Sequence, residues 1–459
     1  MKPSLTQQLL ALNRRPIDDA TRRRAVLHWL DWIACVAAGA RSPAAEALHR
    51  WQLLPGAMAH EPCLLGLAQG PHHAVLMDAG PANVEEMDDM HRQAILHPGP
   101  VVIPALAYLA RSRRLGTGAT LDALVRGYET MIRIGRAVGR RHYFYWHNTA
   151  TAGTFGSAAA CADALALPPE RAAWALGNAG TQAAGLWQVR LEPVMSKQLH
   201  VGHAAWAGLS AASLAESGFT GPLEILEGQR GFFAAMCEGA DLSGVGRTES
   251  DWLIHQTSFK PWPACRHTHA TIDCVLALRE QLGGTPLRYA QCTVESFGDA
   301  LAICDRVEPA SRTEAKFSLQ YCVAAAAAFG PLKPTHFDAS AFTDPGLREA
   351  SGKVALMAAP DIDARYPDHY GARVHFILED GRELVHEVRD SFGDPERPLS
   401  PDAVFDKARD LMAYGGVAPA RSGEVLDAAR ALLASDSGQS AQVMQSPFSS
   451  ALLAPLFDR

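Results

Sequence analysis

The stretch ARVHFILEDGRELVHEVRD, residues 372–390, decides how the fold is read. Two runs of alternating apolar and polar residues flank Asp380-Gly381, and period-2 strands around an Asp-Gly turn predict a β-hairpin. Working outward, YAQCTVESF (289–297) reads as a further strand, and EAKFSLQYCVAAAAAFG (314–330) as a helix between them. The earlier part of the chain has a different texture. In RRRAVLHWLDWIACVAAGA (22–40), Val26, Leu27, Leu30, Ile33, Ala34 and Ala37 share one helical face, and Gly39 is a stop. LDALVRGYETMIRIGRAVG (121–139) repeats the pattern through Leu121, Leu124, Val125, Tyr128, Ile132 and Val138. Pro168-Pro169-Glu170 marks another helix start, because proline is tolerated in a first turn. The many Ala and Gly residues of GHAAWAGLSAASLAESG (202–218) predict a helix in close approach to a neighbour. Nothing before about residue 260 alternates convincingly with period 2. After a proline-rich joint, GDPERPLSPDAVFDKARDLM (393–412) returns to helix. The expected architecture is mainly α: a large all-α domain from residues 1–265 and 398–459, with a smaller α+β domain inserted at 266–397.

At 459 residues the chain exceeds the ~100–200 expected for one domain. Its 48% hydrophobic and 20% charged residues suit an ordinary folded protein. A formal charge of −7 and a pI near 6.2 exert no global pull on nucleic acid or anionic membrane. An anionic substrate would have to be held by a local basic cluster. Nine cysteines without a CxxC pair argue against a disulfide framework or structural zinc site and fit a reducing compartment. MKPSLTQQLLALNRRP has no apolar run fit for a signal peptide, and no stretch reaches the ~18 apolar residues of a membrane span. A cytoplasmic protein is expected. The chain contains neither a GxGxxG nor a GxxxxGK[ST] loop.

Five places concentrate polar or ionisable groups. EEMDDMHRQAILHPG (Glu85–Gly99) packs four carboxylates and two histidines into fifteen residues. It suits a metal site with Asp88, Asp89, His91 and His97 as ligands, although HExxH and paired-cysteine spacings are missing. That density alone is a weak metal signal, and the stretch also suits a metal-free acid–base site or a solvated loop. In YWHNTATAGTFG, His147 precedes Asn148 and Thr149 at a helix start whose free N–H groups suit an anion. Lys197, in SKQLHVGHAA, enters an Ala-rich helix between apolar stretches, where burying a lysine requires a partner. His269 in FKPWPACRHTHATID and Tyr321 in EAKFSLQY complete the set. Taken singly, each also suits an ordinary structural role.

Taken in order, the wording is specific. HPG before VVIPALA, then TAGTFGSAAACADALAL, MSKQLHVGHAAWAGLSAASLAESGFTGPLEILEGQRGF and FKPWPACRHTHATID resemble the MmgE/PrpD family. The resemblance runs from the helix at Arg22 to PLSPDAVFDKARDL. Activities in that family include 2-methylcitrate dehydration, cis-aconitate decarboxylation and iminodisuccinate epimerisation. The resemblance implies a large helical domain, an inserted α+β lid domain, a homodimer, and catalysis on a small carboxylate without metal or organic cofactor. Motif by motif, His97 matches the histidine of HPG, and His147 the histidine ahead of T-x-GTFG. Lys197 matches the lysine of K-x-LH-x-G, His269 the histidine after K-x-x-PAC, and Tyr321 the tyrosine of F-S-x-x-Y. The acidic element, usually Asp-apolar-Asp-Asp-Thr-His, here reads Glu86-Met87-Asp88-Asp89-Met90-His91. Glutamate replaces the first aspartate, and Met90 replaces a threonine hydroxyl.

This set suits chemistry that builds carbanion character beside a carboxylate. Lys197 would stabilise the developing charge, with His269, Lys260 and Arg266 holding other carboxylates. His147 and His97 form the expected acid–base pair, since histidine titrates near operating pH. Tyr321 or a histidine would protonate a departing hydroxide. Glu86, Asp88 and Asp89, with His91 in the same segment, would orient and charge the histidines. On this reading Glu85–Gly99 is a metal-free acid–base segment. The expected function is a lyase acting on a small di- or tricarboxylate, by dehydration first and decarboxylation second. The alternatives are an epimerase that removes and returns an α-proton, and a non-catalytic carboxylate binder.

Overall fold

The computed structural model describes residues 3–51, 60–192, 194–434 and 440–457, and it is mainly α-helical. In chain order, the elements that matter here begin with α1 (Asp19–Gly39), β1 (His60–Cys63), β2 (Gly66–Gln69), α2 (Gly99–Arg113) and α3 (Thr117–Ala137). Next come α4 (Asn148–Ala164), α5 (Ser196–Glu216), α6 (His269–Gln281), β3 (Tyr289–Ser296) and α7 (Leu319–Phe329). The last are β4 (Val354–Ala358), β5 (Ala372–Leu378), β6 (Glu383–Val388) and α8 (Pro401–Gly415). Two compact units are present: Met1–Val84 with Asp88–Thr257 and Ser400–Arg459, and Glu85–Met87 with Ser258–Leu399. Among the described residues no helix is long and apolar enough to cross a membrane.

In the first unit α1 is buried on all sides, Trp29, Trp32 and His28 included, so it is a central helix and not the one-faced helix its spacing predicts. The Asp18 carboxylate opens it by accepting the Thr21 N–H at 2.7 Å. The C-terminal return is tied to it: α8 packs on α1, and Lys407 Nζ lies 2.5 Å from Asp31 Oδ1. Burial raises the Asp31 carboxyl to about 6 even beside that lysine. Helix α4 packs against both α3 and α5. The small residues of α5 let it approach closely: a Cβ at Gly208 would fall on the Ser157 side chain and within 2.5 Å of the Ala158 nitrogen. Gly208→Ala should therefore cost about 1–3 kcal/mol by overpacking, read as a lower urea midpoint. An unchanged midpoint would mean that α4 and α5 can separate freely.

The all-α expectation for this part needs one correction. β1 and β2 form an antiparallel hairpin, His60 opposite Gln69 and Cys63 opposite Gly66. Strands of four residues are too short to display a period, and Pro62 argues against a strand on sequence grounds.

The second unit holds a four-stranded sheet of order β4-β3-β5-β6, with β3–β4 parallel and the other pairs antiparallel. The hairpin read from residues 372–390 is β5–β6, and Gly381 at φ +85° supplies the left-handed turn residue. Ala372, Val374, Phe376 and Leu378 face a core shared with Ile272, Val275 and Leu278 of α6 and Val323 and Ala326 of α7. Residues 258–265, assigned on texture to the helical part, group with this unit. The reason is local: Ser258 Oγ donates to Asp394 at 2.6 Å and the Phe259 N–H to the Gly393 carbonyl at 3.2 Å.

Candidate active site

The HPG segment is positioned by buried carboxylates of the first unit. Residues 91–96 close on themselves through the His91 N–H to the Leu96 carbonyl (2.9 Å), which delivers His97 to the start of α2. Asp89 caps that helix: its Oδ1 accepts the Gly99 N–H at 2.8 Å, and its Oδ2 takes the Tyr128 hydroxyl at 2.7 Å and His28 Nδ1 at 2.6 Å. Burial, first among several causes, pushes His28 down to about 4, so it meets Asp89 as a neutral donor. Asp88 accepts from Asn83 Nδ2 at 2.6 Å and lies 3.1 Å from His97 Nδ1. The same nitrogen is 3.0 Å from the Asp89 carbonyl. These bonds fix the His97 tautomer and leave Nε2 as the ring nitrogen available for chemistry.

The first turn of α4 brings together two of the expected residues, His97 and His147. The His97 N–H donates to Thr149 Oγ1 at 3.1 Å, and Asn148 Nδ2 donates to the Ala94 carbonyl at 2.9 Å. His147 is the N-cap of α4, buried, with its N–H on the Gly185 carbonyl at 2.9 Å. Its ring lies 4.3 Å from that of Trp187 and 5.7 Å from that of His200. Lys197 occupies the first turn of α5, and its charge, after burial and His203, helps hold His200 below its ordinary pKa. A lysine at the positive end of a helix dipole is locally unfavourable. His147, His97, Asp88 and Lys197 all belong to the first unit.

The remaining expected residues, Glu86, Lys260, Arg266, His269 and Tyr321, belong to the second unit. Glu86 Oε2 lies 3.0 Å from Lys260 Nζ, both side chains being buried. Neighbouring Glu85 takes Lys316 at 2.6 Å and Arg312 at 2.7 Å. Burial opposes its ionisation, but those two cations outweigh it and hold the carboxyl below its ordinary range. His269 sits between Arg266 Nη1 (3.1 Å from Nδ1) and the Ala264 carbonyl (3.1 Å from Nε2). Arg266 also pairs with buried Asp394, and the Tyr321 hydroxyl donates to the His336 carbonyl. Burial raises the Tyr321 phenol.

His91 is buried in the first unit. It is 1% exposed, its Nδ1 accepts the Ala94 N–H at 3.3 Å, and burial, then Arg136 and Arg92, push it down to about 3. The unfolded chain gains a proton below pH ~6.5 that the folded state refuses until far lower pH. Its contribution is thus complete above pH ~6.5 and declines by up to ~1.4 kcal/mol per pH unit below it. His91→Asn should flatten that acid limb in urea titrations between neutral pH and about pH 5. An identical limb in the variant would remove His91 as its source. Among the described residues, Asp88, Asp89, His91 and His97 supply no three ligand atoms within 4.8 Å of one another. The group that does is His369, Asp390 and Glu396, where His369 already meets Asp390 at 2.6 Å and Arg389 at 2.9 Å.

With this geometry in place, the comparisons are specific. The MmgE/PrpD N-terminal domain model matches residues 4–244, and the MmgE/PrpD C-terminal domain model residues 262–431. The chain belongs to the MmgE/PrpD family. Among curated proteins, it is 28% identical over 370 residues to cis-aconitate decarboxylase from Mus musculus, covering 74% of this chain and 71% of the relative. It is 27% identical over 362 residues to the Homo sapiens enzyme of that name, covering 74% and 72%. To cis-aconitate decarboxylase from Aspergillus terreus it is 26% identical over 440 residues, covering 88% and 86%. Sequence reading of this MmgE/PrpD chain missed Trp187 and His200 at the His147 site, and Tyr128, His28 and Asn83 behind the acidic segment. His200 follows Lys197 by three residues, a helical spacing that places the two on one face.

Proposed function

We propose that this protein is a cofactor-independent lyase acting on a small di- or tricarboxylate. The observation that carries the reading is that His147, His97 and Lys197 share one unit, with Asp88 3.1 Å from His97 Nδ1 and the His97 N–H on Thr149, in the first turn after His147. Lys197 stabilises charge that develops on a substrate carboxylate as the adjacent carbon gains carbanion character. In decarboxylation, the electrons of the breaking C–CO₂ bond move into the conjugated carboxylate system, and a histidine then protonates carbon. In dehydration, His147 removes the α-proton and a second acid protonates the departing hydroxide. Asp88 holds His97 in one tautomer and stabilises the imidazolium formed when it takes a proton. The names of the relatives support decarboxylation as the branch to test first. The family resemblance further supports a lid role for the inserted α+β domain and a homodimer, and the cysteine usage supports a cytoplasmic setting.

Glu86 and Met90, where the family element has Asp and Thr, favour a second reading, a carboxylate binder without turnover. An epimerase, which removes an α-proton and returns it, would use the same acid–base set as the lyase. Purified protein incubated with cis-aconitate, 2-methylcitrate, citrate and malate, followed for CO₂ release and new alkene, separates the branches. CO₂ from cis-aconitate establishes the carboxy-lyase and alkene from a hydroxy acid the hydro-lyase. Deuterium exchange without change of skeleton would overturn both in favour of the epimerase.

A further inference from the structure

We infer that Arg190 anchors a second carboxylate of the substrate, with Trp187 and Tyr143 as its aromatic platform. The inference rests on the carboxylate reading above and adds a residue and a minimum charge for the ligand. Residues Trp187–Arg190 form one 3-10 turn between Gly185 and α5. Gly185, at φ +123°, sets its approach: a Cβ there would come within 2.9 Å of Ala150 and 3.3 Å of His200 Nδ1. Trp187 lies against His147, and Tyr143 meets Trp187 edge-on at 5.9 Å. The Arg190 guanidinium carbon sits 5.0 Å from the Trp187 ring centre and 5.8 Å from that of Tyr143.

Stacking engages the face of a guanidinium and leaves its in-plane N–H donors to other partners. Among the described residues Arg190 has no carboxylate or carbonyl acceptor, whereas Arg141 pairs with Glu238. Two further polar atoms here are buried without a protein partner, Trp187 Nε1 and His200 Nδ1. Trp187, which lies against His147 and carries Arg190, brings a cation and an unpartnered N–H together on a chain of net charge −7, which fits a local anion site. The aromatic platform restricts the Arg190 side chain before the ligand arrives, which lowers the entropy cost of a two-pronged carboxylate contact. With Lys197 as the other cation, the preferred ligand carries at least two carboxylates.

Isothermal titration of the full chain with succinate, tricarballylate and butyrate, none of which should react, tests this. Wild type should bind the two polyacids more tightly than butyrate. Arg190→Gln should weaken polyacid binding by about 10–100-fold, the usual loss for charge-assisted hydrogen bonds, and leave butyrate unchanged. Arg190→Lys, which keeps charge but loses the planar fork, should fall between and provides the readout should Arg190→Gln not fold. Equal polyacid affinity in wild type and variants would make Arg190 a stacked surface residue and overturn the inference alone. Failure of wild type to bind any polyacid would overturn the carboxylate reading itself.

Discussion

Lys197→Ala should lower kcat by about 100- to 1000-fold, the cost of removing one donor aimed at developing negative charge. KM should move far less, because the interaction strengthens as charge develops. The fold should be untouched. Lys197 is half-exposed in the first turn of α5, where a cation opposes the helix dipole. Its removal should leave the melting temperature unchanged or slightly raised, by an amount equivalent to about 0.3–1 kcal/mol. A paired measurement of turnover and thermal melting therefore separates chemistry from stability. Wild-type turnover in the variant would take Lys197 out of the site. Lost turnover together with a large drop in melting temperature would show a structural role.

His147→Gln should reduce exchange of the substrate α-proton by about 100-fold or more, the contribution of a positioned general base. Glutamine keeps the backbone N–H on the Gly185 carbonyl and much of the side-chain volume against Trp187, so the helix start should persist. Exchange read by proton NMR isolates this step from release of product. Undiminished exchange would move the base to His97, and Asp88→Asn would then become the informative variant, because Asp88 holds His97 Nδ1 at 3.1 Å.

Legibility in the sequence followed the range of the interactions. Hairpin β5–β6 was readable because alternation and an Asp-Gly turn are local signals. Hairpin β1–β2 was not, since four-residue strands with Pro62 carry no local signature. Helix α1 was found, but its burial on all sides was not, because that depends on α8 returning from nearly four hundred residues away. Motif wording marks His97, His147 and Lys197, yet the bond from the His97 N–H to Thr149, in the first turn after His147, is a tertiary fact. The partner of Glu86 illustrates the limit: Lys260 is 174 residues distant, and nothing in EEMDDMH announces it. Trp187 and Arg190 were invisible for a different reason. Aromatic and cationic residues in a short turn are common, and only packing against His147 gives them meaning.

The most direct test of an acid–base site working beside a carboxylate is proton NMR in D₂O. Wild type, Lys197→Ala and His147→Gln would each be incubated with cis-aconitate, 2-methylcitrate, citrate, malate and aspartate-derived acids. The expected result is deuterium at the carbon next to a carboxylate, together with decarboxylated or vinylic product, in wild type and strongly reduced in both variants. Product that forms at the wild-type rate in both variants would contradict the assignment of this chemistry to His147 and Lys197.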